Sequence, residues 1–92
     1  MTRAVGEGND PRTTVALDRT TYRSTGLLTA VMPGYHTRAG RVFTLLLIDQ
    51  AWMYGDPYAA DRAWGFINQR VMVTWRLAYG RRYVTTFDGP PM

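Results

Sequence analysis

The 92-residue chain predicts a mainly β domain, a small barrel of five or six strands carrying one short helix. Three observations lead there. Between polar ends, apolar residues recur mostly with period two, the spacing of a strand with one buried face. Glycine, proline and aspartate punctuate these runs at strand-length intervals. A single stretch, residues 56–65, carries helix signals instead.

Residues 1–12 are small, polar and glycine-bearing, and read as a loose tail before one domain at 13–89. "TTVALDR" alternates Val15 and Leu17 with polar neighbours; it is either an extra strand or the front half of the first barrel strand. "STGLLTAVMP" and "RVFTLLLID" are strand-length runs closed by Pro33 and Asp49, and "AWMYG" is a shorter one. "GDPYAADRAWGFIN" offers Asp56 as N-cap, Pro57 at the first helical position and Gly65 as terminator, a helix over about Pro57 to Trp64. Ala60, Ala63, Trp64 and Ile67 share one face of it. Two turns are not stable alone, so that face must plug a sheet. "QRVMVTWRL" puts Val71, Val73, Trp75 and Leu77 on one face against Arg70, Thr74 and Arg76 on the other. "RRYVTTFDG" follows across "AYG", a hairpin connection with Gly80 available for positive φ. The prolines of "GPPM" stop the last ladder and leave 90–92 as a C-terminal tail. Trp64 and Trp75 belong to the expected core.

Composition narrows the function. No window approaches the roughly 20 apolar residues of a membrane span, and the N-terminus lacks the apolar segment of a secretory signal. A soluble, cytoplasmic protein is expected. Cysteine is absent, which excludes disulfides and thiolate metal sites. All eleven cationic residues are arginine. Codon usage in a GC-rich genome produces the same bias, but its physical consequence stands: guanidinium groups grip phosphates bidentately and stack on bases. From Arg62 onward five arginines face one acid, Asp88, among interleaved aromatics. That balance points to a polyanionic partner, with a merely solvated basic surface as the bland reading.

The order is strand, strand, short strand, short helix, strand, strand. In it the chain resembles OB-fold nucleic-acid-binding domains over about residues 22–88. "STGLLTAVMPGYHTRAGRVFTLLLID" is similar to that family's first hairpin, in which a glycine near the strand start lets it bend around the barrel. "AWGFINQRVMVTWRL" is similar to its helix end and fourth strand. Small SH3-like barrels share part of the pattern, and Trp75 stands where many OB-fold strands carry glycine. The resemblance implies that nucleic acid lies across the barrel's second and third strands, gripped by the connections between strands one and two and between four and five.

Those connections are "PGYHTRAG" and "AYGRR", about forty residues apart, each with a tyrosine and arginine. The expected binding set is Tyr35, His36, Arg38 and Arg41 with Phe43, Trp52 and Tyr54 as a stacking platform, and Tyr79, Arg81 and Arg82 opposite. Phe43 and Trp52 serve equally well as core. Single-stranded nucleic acid, DNA foremost, wants this mixture of arginine for the backbone and flat rings for the bases. No enzyme is expected. There is no phosphate-binding glycine loop, no ligand spacing for a metal, no cofactor motif, and Ser24, the only serine, has no adjacent base. A metal-free ribonuclease-type toxin using His36 with Arg38 is a third reading. The second is a small protein-interaction module, such as a phage- or plasmid-type inhibitor or assembly protein, using the aromatic surface. Leu45, Leu46, Leu47 and Ile48 lack polar alternation, as if both faces of their strand were covered, which suggests a homodimer or a protein partner there.

Overall fold

Six strands form in chain order: β1 (Thr14–Ala16), β2 (Thr21–His36), β3 (Val42–Ile48), β4 (Ala51–Gly55), β5 (Gln69–Ala78) and β6 (Arg81–Gly89). Between β4 and β5 lie helix α1 (Pro57–Ala63) and a 3-10 turn, Trp64–Phe66. The computed structural model describes residues 14–91, the side chains of Ala59 and Ala60 excepted. The expected tail at 1–12, Met92 of the C-terminal tail, and the placing of Ala60 on the helix face lie outside what is described.

The strands make one sheet in the order β1-β2-β3-β4-β6-β5, and β5 pairs back onto β2, so the sheet closes partly into a ring. Every pair is antiparallel except β4 with β6, where Tyr54 faces Tyr83 and Gly55 faces Val84. The molecule is therefore mainly β and barrel-like, as expected, with its helix at the expected place. "TTVALDR" contributes a separate strand, β1, laid on residues 22–24 of β2.

Closure depends on β2, which serves two neighbours in turn. Its residues 21–28 pair with β5 and its residues 28–36 with β3. The handover needs Gly26. A Cβ there would lie 2.7 Å from the Asp49 carboxyl carbon and 2.8 Å from Ile48 Cγ2. The Asp49 carboxylate sits so close because it accepts the Leu27 N–H at 2.8 Å. β2 also runs past Pro33, which does not close it. A register shift between Met32 and Tyr35 absorbs Pro33 and Gly34, the latter at φ 79°. A bulge tolerates the missing proline N–H where regular pairing would not. Two-residue turns with positive φ join β3 to β4 (Asp49, Gln50) and β5 to β6 (Tyr79, Gly80). Their twist matches that of the flanking strands.

Alternation fills the interior. Leu46 and Ile48 of β3, Met53 of β4, Val71, Val73 and Trp75 of β5 and Phe87 of β6 are buried together with Leu28. Trp75 takes its expected core place, its Nε1–H donating to Ser24 Oγ at 2.7 Å and its ring stacked 4.6 Å from Tyr22. Leu77, on the same face by alternation, emerges past the core and is exposed. The helix does plug the ring: Ala63 is fully buried and Arg62 Nη1 donates to the Phe87 carbonyl at 2.9 Å. Trp64 corrects the expectation. The chain tightens to 3-10 geometry at Trp64, three residues per turn rotate it off the helix stripe, and it stands 49% exposed. Phe66, 5.7 Å from Phe87, and Ile67 pack on the core instead. Gly65 lies inside that 3-10 turn and does not end the helical segment; Asn68, at φ 70°, turns the chain into β5. Nor are both faces of β3 sealed. Leu46 and Ile48 belong to the core, while Leu45 and Leu47 are half-buried on the outer face. Only the latter two are left for a partner.

Candidate functional site

Strand alternation turns Phe43 of β3, Tyr54 of β4 and Tyr83 of β6 outward, opposite buried Thr44, Gly55 and Val84. The pairing of Tyr54 with Tyr83 and of Thr44 with Gly55 brings the three rings side by side. Their centres lie 5.4 to 5.6 Å apart, and Tyr35 of β2 meets Tyr54 edge-on at 5.6 Å. Tyr54 meets Phe43 and Tyr35 edge-on while Tyr83 is tilted against Phe43 and Tyr54, arrangements that ring quadrupoles favour over flat stacking. The three rings form the floor of an open groove of about 1180 Å³.

The two connections are its walls. Thr37, Ala39 and Arg41 line one side; Ala78, Tyr79 and Arg81 line the other. The first wall is pinned locally. Thr37 N–H donates to the Arg41 carbonyl at 2.9 Å, Arg41 N–H donates to Thr37 Oγ1 at 3.1 Å, and Gly40 takes φ 84°. The second is the tight turn at Tyr79 and Gly80. Tyr79 there is 95% exposed at φ 53°. A tyrosine in the left-handed region costs on the order of 1 kcal/mol, where glycine or asparagine would sit at ease.

Three guanidinium groups, Arg41, Arg76 and Arg81, share the lining with one acid, Asp56. Arg41 lies 5.5 Å from the Phe43 ring centre and Arg81 5.4 Å from that of Tyr54. Burial pushes the Tyr54 hydroxyl above the ordinary phenol value, and its hydrogen bond with the Tyr35 hydroxyl pushes the same way. Tyr54 therefore stays protonated and adds no negative charge to the groove. Three cations against one carboxylate, with flat rings and neutral hydroxyls, are what the groove offers a ligand.

Five of the expected binding residues line this groove: Arg41, Phe43, Tyr54, Tyr79 and Arg81. Tyr35 supports it through Tyr54. His36, which pairs with Val42 at the end of β2, and Arg38 in the turn are exposed but do not line it. Trp52 is outward and 44% exposed, yet it stands beside Leu47 at the other end of the face, so it is neither core nor floor. Arg82 alternates away from Arg81. Its guanidinium covers the Trp75 ring at 5.3 Å, outside the groove. Eight lining residues stood outside the expected set, Tyr83, Arg76 and the acid Asp56 among them. The first two were legible. Period two in "RRYVTTFDG" puts Tyr83 with Arg81 and apart from Arg82, and the same rule sets Arg76 opposite Trp75.

Among the described residues no helix is long and apolar enough to cross a membrane, and no three His, Cys, Asp or Glu side chains converge as a metal would need. Comparison with protein-family models, with curated proteins and with solved structures finds no match to this chain, so its groove must be read on its own geometry.

Proposed function

We propose that the protein binds single-stranded nucleic acid in the groove between residues 37–41 and the Tyr79 turn. One observation carries this: two distant connections and four strands converge to set Arg41, Arg76 and Arg81 around a floor of Phe43, Tyr54 and Tyr83. Backbone-tracking cations beside ring faces are the requirement of a single-strand site, each stacked base adding about 1–3 kcal/mol. The strand order and the parallel β4–β6 pair are compatible with an OB-like barrel, whose ligands lie on this side, and that supports the same reading. The groove binds and positions; it carries no catalytic step. Fluorescence anisotropy with single- and double-stranded oligonucleotides at two salt concentrations tests it. Three guanidinium–phosphate contacts give a log–log salt slope near about −2 on single strands, with duplex weaker. Salt-independent binding, or tighter binding of duplex, refutes it.

A second surface favours a protein contact. The far end of the outer face, with Met32, Leu45, Leu47 and Trp52, presents a cluster of apolar side chains. A second copy of the chain would cover these side chains without disturbing the core beneath. We propose a homodimer through it; a monomer by light scattering at high concentration overturns that.

A further inference from the structure

Two of the three rings of the groove floor, Phe43 and Tyr54, are not bare. The Arg41 guanidinium lies over Phe43 at 5.5 Å and that of Arg81 over Tyr54 at 5.4 Å. A cation over a solvent-facing ring is held weakly, whereas a phosphate accepts two parallel N–H bonds from the same fork. Phosphate therefore draws the guanidinium away, and the ring face it leaves is open to a base. The two ring centres are 5.5 Å apart and each has its own arginine, so the exchange occurs at two neighbouring places.

Resting on the single-strand reading above, we propose that Arg41 and Arg81 are displaceable covers, and that the groove selects ligands alternating phosphates with unpaired bases over at least two nucleotides. A polyanion without bases lifts the covers but leaves two ring faces in water. A nucleoside without phosphate cannot lift them. A duplex brings phosphates while keeping its bases stacked. The covers thus make base and phosphate jointly necessary, a selectivity that neither an arginine patch nor a bare aromatic floor has alone.

The test compares a single-stranded oligothymidylate of about 12 nucleotides with an abasic strand of equal length and charge. The abasic strand binds with the same salt slope but about 5- to 150-fold more weakly for each base lost from a ring. Tyr54→Leu lowers affinity for the oligothymidylate toward that of the abasic strand and leaves abasic binding unchanged, which also shows that the variant is folded. By NMR, the Arg41 and Arg81 side-chain protons are shifted upfield by the rings in the free protein and return to ordinary positions in both complexes. Equal affinity for the two strands overturns the proposal while leaving single-strand binding intact. Arginine protons that keep their ring shift at saturation overturn it as well. Failure of the parent protein to bind either strand overturns the single-strand reading itself.

Discussion

Arg81 and Arg82 are adjacent, but alternation along β6 sends their guanidinium groups to different places. Arg81 lines the groove over Tyr54, while Arg82 covers Trp75 at 5.3 Å outside it. Replacing each by alanine should separate binding from stability. Arg81→Ala removes one phosphate contact: the salt slope flattens by about 0.7, and affinity falls roughly tenfold, the equivalent of a charge-assisted hydrogen bond near 1.5 kcal/mol. Arg82→Ala leaves the slope alone. It uncovers the nearly buried indole, losing a cation–π contact of about 0.5–1 kcal/mol, which for a domain this small is a drop of about 2–8 °C in Tm. The assays are anisotropy titrations over a salt series and thermal unfolding by circular dichroism. If Arg82→Ala flattens the slope as much as Arg81→Ala does, the groove is wrongly placed on β6.

Gly26→Ala should destabilise by about 1–3 kcal/mol, because the added methyl meets Asp49 and Ile48 at 2.7–2.8 Å; urea unfolding at unchanged m-value checks this, and an unaffected midpoint removes the close-approach argument. Tyr79→Asn should raise Tm by relieving the left-handed tyrosine while weakening oligonucleotide binding, and a variant that is neither more stable nor weaker refutes both roles. Asp18 accepts the Thr20 and Thr21 N–H groups at 2.9 and 2.8 Å, which hold its carboxyl below the ordinary value. Its contribution is therefore complete above the unfolded carboxyl pKa, near 4, and is lost as pH falls through the lower folded value. The Tm gap between parent and Asp18→Ala should be full at about pH 7 and shrink as acid protonates the carboxyl, and a gap that widens in acid contradicts the turn's role.

Local pattern determined the strand runs, the short helix behind Pro57, the glycine turn at Gly80 and the core place of Trp75, because period, caps and positive-φ positions are read within a few residues. It also determined which residue types are available: arginine without lysine, and many rings. Local pattern misjudged Pro33, Trp64 and Gly65, where a bulge and a 3-10 turn broke the regular periods on which the reading depended. The groove was decided only by tertiary structure. Phe43, Tyr54 and Tyr83 become neighbours through the β3–β4 and parallel β4–β6 registers, and register depends on how the whole sheet closes. The same closure separated Trp52 from the floor. A one-residue change in pairing moves a side chain to the other face, and no composition or spacing within a single strand carries that information.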